Sequence, residues 1–317
     1  MIIQKNGTTA GAGLVLGAAL LWGTVGPAQV LADSPLGTAA LGGWRMLVGG
    51  VVLWTVTARD LTRLRAVAAR SARPYVLMCA LSTCVYQAAF LYAVSRTGAA
   101  LATVIALGTA PVTTGVAARW VTGERVRAAW LVSTGAAVAG CTLLMTPVDG
   151  HSADPLGLLL GVVAGACYGL YTVCAKRLAA DNPTMHLPTL SAVSLTVGAV
   201  ILLPWMLAET AGLSDTRTLG LIAWLSLATT VAAYWLFSAG LTRMSAATVG
   251  TLGLAEPLTA ALLGVLVLDE HLSPTDVVGC ALMVGGLTAV SLPVHRNPRG
   301  LCASPSGIQV TPVRPRG

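Results

Sequence analysis

Two charges stand where an apolar chain would be expected to hold none. Glu256 lies in Leu254-Ala255-Glu256-Pro257, and Arg45 lies in Gly42-Gly43-Trp44-Arg45-Met46. Each sits inside a run apolar enough to form a membrane helix. A charge at the bilayer centre costs at least about 2.5–3.5 kcal/mol on insertion scales, so such a group faces protein or a watery cavity. Pro257 removes one backbone hydrogen bond next to Glu256, which frees a carbonyl nearby. An acid at a broken helix can hold a proton or a cationic group. It can equally be a structural carboxylate tied to backbone or to Arg45. Arg45 can bind a substrate carboxylate, or it can snorkel to the interface. If both charges face one cavity, they can clamp the two ends of a zwitterion.

Polar and aromatic residues at similar depth join these two. Tyr86-Gln87 fall mid-span in the third run, and Tyr234-Trp235 fall in the corresponding run of the second half. Trp22 and Tyr168 occupy similar places in the first run of each half. Gln87 would waste its amide in lipid, so it is expected to point inward. The aromatic rings can line a pocket and stack on an organic cation. They can also do no more than pack helices or mark the interface. Gly250 and Gly253 precede Glu256, and Gly13, Gly17, Gly157, Gly161, Gly165 and Gly169 recur at spacings of four. Such residues let helix backbones approach closely. Glu124 and Glu270 end their runs and read as solvated helix-end acids, with a gate as the alternative reading.

The elements that position these residues follow from composition. The 317 residues are 55% hydrophobic and 10% charged, where a soluble domain carries roughly 25% charged residues. Mean hydropathy is +0.78. Lipid is the solvent this chain is built for. A bilayer core needs roughly 20 apolar residues per helix. Such runs fall near 11–31, 37–57, 75–94, 98–120, 128–147, 156–175, 188–207, 219–240, 246–267 and 274–292. The fold class is therefore all-α integral membrane, with ten transmembrane helices. Val30-Leu31-Ala32 could pass for a signal-peptidase site, but the first run has a counterpart inside the chain and reads as a retained span.

Loop charges orient the spans. With the N-terminus inside, only Arg96 and Arg217 fall on the outer side, and Arg45 lies within a span. Every other Lys and Arg falls inside. This bias places both termini, residues 1–10 and the tail 293–317, in the cytoplasm and the protein in the cytoplasmic membrane. The tail is rich in Pro, Arg, Ser and Gly, lacks an apolar face, and is expected to be disordered.

Several chemistries are disfavoured. The net charge of +7 comes from basic loops rather than a basic face, so no nucleic acid is expected as a partner. The seven cysteines include no CxxC pair, which argues against a disulfide framework or zinc site. Neither Lys5 nor Lys176 is followed by Ser or Thr, which rules out a Walker A loop. No HExxH occurs, and the four histidines, His151, His186, His271 and His295, lie in or beside loops. No enzyme activity and no cofactor is expected.

The two halves resemble each other. A shift of 146 carries Pro111 onto Pro257, Thr113 onto Thr259, Glu124 onto Glu270 and Gly140 onto Gly286. In the first run of each half, a shift of 144 matches Gly13 and Gly17 with Gly157 and Gly161. Five spans per half is an odd number, so the halves enter the membrane in opposite senses. An inverted repeat can open to either side, which suits alternating access.

The paired stretches Gly98-Ala99-Ala100-Leu101-Ala102-Thr103, Ala110-Pro111 and Gly123-Glu124-Arg125, with Ser245-Ala246-Ala247-Thr248, Leu254-Ala255-Glu256-Pro257 and Leu268-Asp269-Glu270-His271-Leu272, carry a further signal. They resemble the EamA-type transporters of the drug/metabolite transporter superfamily over about residues 11–292. The resemblance implies two five-helix repeats, 11–147 and 156–292, around a cavity lined by the first four helices of each. It implies fifth helices that support the fold or a homodimer contact. It also implies export of a small-molecule substrate such as an amino acid, amine, drug or other metabolite, with import or exchange as the alternative, because alternating access is reversible. Asp269 replaces the glycine that precedes Glu124 in the first half, a departure from the pattern.

Overall fold

The computed structural model describes residues 2–57, 60–145 and 154–291. His151, His295, Cys302 and the expected tail 293–317 lie outside the described residues. Among the described residues, ten helices are long and apolar enough to cross a membrane. They are α1 (Thr9–Ala32), α2 (Thr38–Thr57), α3 (Arg73–Thr97), α4 (Ala99–Val121), α5 (Ala128–Met145), α6 (Pro155–Asp181), α7 (Leu187–Ala208), α8 (Thr216–Arg243), α9 (Ala246–Leu268) and α10 (Pro274–Ser291). No strand occurs among the described residues. A short helix, Leu61–Ala68, lies between α2 and α3.

The boundaries follow local chemistry. Asp154, Asp215 and Ser245 are N-caps whose side chains accept backbone N–H groups of α6, α8 and α9. Gly98, with φ +80°, turns the chain between α3 and α4. Gly123 (φ +70°) and Asp269 (φ 55°) take the left-handed position just beyond α4 and α9. Asp269 thus occupies the same backbone position as the glycine it replaces. α6 and α8 extend furthest past the hydrophobic runs. α6 reaches Asp181 and α8 reaches Arg243, so Lys176 and Arg177 are helical rather than loop residues. Arg177 pairs with Asp181 one turn on at 2.9 Å, and Lys176 finds acceptors on α8.

Three spans are irregular. α1 breaks at Thr24, because Pro27 cannot donate to the Gly23 carbonyl. α8 contains a π-helical turn at Leu227–Ala232. α9 breaks between Leu252 and Ala255. Pro257 has no N–H for the Gly253 carbonyl, and the Glu256 N–H donates to it instead at 3.1 Å. Pro111 behaves differently, since α4 runs unbroken through it.

The packing is two-fold in pattern. α3 lies along α6 as α8 lies along α1, and α4 lies along α6 as α9 lies along α1. α2 packs on α7, and α5 packs on α10. Exchanging the halves leaves this scheme unchanged, as an inverted repeat requires. Glycines make the closest approaches. Gly23 of α1 meets Thr259 of α9, and Gly169 of α6 meets Thr113 of α4. Gly140 and Gly279 press α5 against α10. These pairs correct the register in the first helix of each half. The shift is 146 there too, matching Gly11 with Gly157 and Gly23 with Gly169. Gly13, paired with Gly157 by the shift of 144, faces open space.

Candidate functional site

The break in α9 presents Glu256 in the first turn of its second segment. Glu256 lies deep in the molecule, yet part of its surface is not covered by protein. Arg45 on α2 is also half-buried. Each charge lies within electrostatic reach of the other and of Tyr86 and Tyr234. No ion pair within 4 Å joins them; the ion pairs among the described residues are Arg63–Asp60, Arg96–Asp154 and Arg177–Asp181. The two charges therefore share one region without neutralising each other by direct contact.

Aromatic rings form one wall of this region. Trp22 sets its edge against Tyr234, with centroids 5.9 Å apart, and tilts on Phe237 at 5.6 Å. Tyr168 sets its edge against Phe237 at 6.3 Å. Such edge and tilted geometries suit the ring quadrupoles. The Trp22 indole N–H donates to the Thr229 carbonyl at 3.0 Å, inside the π turn of α8. That turn shifts the hydrogen-bond ladder and leaves a carbonyl for Trp22. The Tyr168 hydroxyl is enclosed and has no partner in the protein. It points at the α9 break, where a Cβ on Gly253 would stand 3.3 Å from it. Gly250, one turn earlier, brings α9 against Thr114 of α4. An enclosed hydroxyl without a partner is costly, and a bound ligand or water can satisfy it.

The remaining candidates divide. Tyr86 stacks on Phe90, with rings 5.6 Å apart and nearly parallel. Gln87 is buried, and its amide contacts the Met46 sulfur at 3.4 Å, beside Arg45 on α2. Trp235 is placed apart from the others. It is 39% exposed and sets its edge against His186. Pro111 is buried in α4, one residue from Ala110, whose carbonyl accepts the Thr113 and Thr114 hydroxyls. Phe237, which joins Trp22 to Tyr168, escaped the sequence reading because one Phe in an apolar run carries no signal.

A second set of charges sits at the end of the bundle that carries most of the basic loops. Glu124, just past α4, accepts the N–H groups of Ala246 at 2.9 Å and Ala247 at 3.3 Å. Lys176 of α6 donates to the Leu241 and Thr242 carbonyls at 2.8 and 3.3 Å. The turn between α8 and α9 is thereby held from both sides. The acid complements the N-terminus of α9, and the ammonium complements the C-terminus of α8. Glu124 is thus a helix cap rather than a solvated acid. At the opposite end, Glu270 folds back beside Gly264 and makes no such bond to Ala99 or Ala100.

Ten candidate spans among the described residues, in an inverted repeat around two half-buried charges, have the architecture of a multi-pass membrane transporter. The chain belongs to the EamA-like transporter family, which matches it twice, over residues 9–146 and 155–292. The two matches are offset by the same register as the glycine contacts. It is similar to the uncharacterized transporter YwfM of Bacillus subtilis, 38% identical over 87% of this chain and 92% of that protein. It is similar to the uncharacterized inner membrane transporter YicL of Salmonella typhimurium, 26% identical over 90% and 96%. The threonine/homoserine exporter RhtA of Salmonella typhimurium is 30% identical over 50% of this chain and 52% of its own length. A crystal structure with 21% identity has the same fold, with a TM-score of 0.75 over 88% of this chain and 95% of that one.

Proposed function

We propose that this transporter exports a small zwitterionic or amphipathic metabolite, of the amino-acid or drug-like class, across the cytoplasmic membrane and in exchange for protons. The observation that carries the reading is the pair Arg45 and Glu256, placed in one region without an ion pair within 4 Å. An ammonium group would meet Glu256, a carboxylate would meet Arg45, and the body of the substrate would lie against Trp22, Tyr86, Tyr168 and Tyr234. Glu256 alternates between substrate and proton, which gives coupling without a second site. The exporter name of RhtA supports the direction. The loop charges support termini on the cytoplasmic side.

The clamp on the α8–α9 turn supports a gate. Glu124 and Lys176 tie the α8–α9 turn to α4 and α6 in this conformation, while Glu270 makes no counterpart bond. Alternating access then requires Glu124 to release α9. Glu270, its counterpart in the inverted half, would cap α4 in the opposite state.

Uptake into proteoliposomes under an imposed pH gradient, with a panel of amino acids and organic cations, tests the reading. Accumulation that collapses with an uncoupler is expected. Flux indifferent to the gradient would remove proton coupling. Accumulation of cations alone, with amino acids excluded, would remove the zwitterion clamp.

A further inference from the structure

A groove on the outside of the bundle answers to different chemistry. It lies between α4 and α5, has a volume of about 550 Å³, and is walled almost entirely by apolar side chains. That volume falls within the range of ligand sites, roughly 300–1,000 Å³. Trp130 forms part of its wall, packed over Gly115, and its indole N–H finds no acceptor in the protein. On α5 the lining runs from Trp130 to Ala139, about 14 Å of helix at 1.5 Å per residue. One leaflet of hydrocarbon is roughly 15 Å deep, half of a 30 Å core. The groove therefore reaches from the membrane surface through about one leaflet.

Its mouth is cationic. Arg119 lines the groove at the surface end, beside Trp120, which is 82% exposed. Arg125 and Arg127 follow in the same loop and are exposed. None of the three pairs with an acid among the described residues. Glu124, the acid of that loop, is turned away to cap α9. A slot one leaflet deep with an unpaired guanidinium at its mouth matches an acyl chain with an anionic headgroup. We infer that the α4–α5 groove binds an anionic glycerophospholipid, with one acyl chain along Trp130 and Gly135 and its phosphate on Arg119.

A second copy of this chain fits less well. A two-fold contact uses the same patch on both partners. It would bring two Arg119 mouths together at the same membrane face, with no acid to separate them.

Gly135 supplies the discriminating variant. A Cβ there meets nothing within 4 Å, so Gly135→Phe fills the groove from open space. The full chain, purified in detergent and checked for a cooperative thermal transition, is incubated with phosphatidylglycerol or phosphatidylcholine and weighed by native mass spectrometry. We expect wild type to retain phosphatidylglycerol at least tenfold over phosphatidylcholine. Arg119→Gln loses that preference, and Gly135→Phe loses retention of both lipids. Gly135→Leu takes its place if the Phe variant aggregates. Equal retention by the groove-filled variant overturns the site. Equal retention of both lipids by wild type overturns the headgroup contact. A wild-type dimer that dissociates in Gly135→Phe, with lipid retention unchanged, assigns the groove to a second copy instead. None of these outcomes touches the transport reading, which rests on Arg45 of α2 and Glu256 of α9.

Discussion

The Glu124 carboxylate, at the end of α4, holds the first two backbone N–H groups of α9, those of Ala246 and Ala247. The bond joins the two halves of the repeat at one end of the bundle, and its counterpart at Glu270 is not made. Removing an N-terminal cap costs about 0.5–2 kcal/mol. Glu124→Ala is expected to speed hydrogen exchange at Ala246 and Ala247 by about two- to thirtyfold, since 1.4 kcal/mol is tenfold. Glu270→Ala is expected to leave those amides unchanged. Equal exchange in wild type and Glu124→Ala would remove the latch.

The paired charges make a second prediction. Glu256→Gln keeps the shape of the side chain and removes its charge, so the protein is expected to fold and to lose gradient-driven flux at least about tenfold, 1.4 kcal/mol in the coupled step. Arg45→Gln is expected to weaken substrates that carry a carboxylate while sparing simple amines. Flux measured for an amino acid and its decarboxylated amine separates the two roles. Wild-type coupling in Glu256→Gln would assign the proton elsewhere.

Close helix contact makes a third. A Cβ on Gly23 would stand 2.7 Å from the Glu256 carbonyl oxygen and 2.5 Å from the Thr259 Cβ. Backbone at that contact cannot swing aside, so Gly23→Ala is expected to cost about 1–3 kcal/mol by overpacking. It also displaces the turn that carries Glu256. Gly13→Ala, which meets nothing within 4 Å, is the matched control and is expected to leave stability unchanged or higher. Thermal unfolding in detergent compares the two.

Asp269 holds a left-handed conformation with φ 55°, where the first half has Gly123. A side chain there strains the backbone by about 1 kcal/mol or more, less for Asp than for most residues. Asp269→Gly is therefore expected to raise the melting temperature without altering transport. A lowered melting temperature would mean that the Asp269 carboxylate contributes more than its backbone costs.

Asp154 gives a prediction in pH. The Leu156 N–H, and then Arg96 at 3.1 Å, hold its carboxyl below the usual carboxylate range. A carboxylate depressed in the folded state adds stability above its unfolded pKa and loses it as pH falls through the folded value. Asp154→Asn is therefore expected to lower the melting temperature at neutral pH. The gap to wild type should close below the carboxylate range. A gap that persists there would point to the shape of the cap rather than its charge.

What the sequence determined by itself is the number of spans, the inversion of the halves and the placement of Arg45 and Glu256 within spans. Each is a property of hydropathy and order along the chain, because lipid admits few charges and a helix must be a fixed length to cross it. The motif ends at Gly123-Glu124 and Asp269-Glu270 were legible as a pair. Their partners were not, since a carboxylate reads the same in sequence whether water or a helix N-terminus meets it. The register of the first helices was misjudged for a similar reason. Among many small residues, only the contact of Gly23 with Thr259, beside that of Gly169 with Thr113, selects one alignment. Tertiary structure alone decided that Trp22 and Tyr168 meet at Phe237, with Tyr234 against Trp22, while Trp235 turns outward. Adjacent residues on a helix point about 100° apart, and which of them faces inward is set by the neighbouring helices rather than by the residue itself.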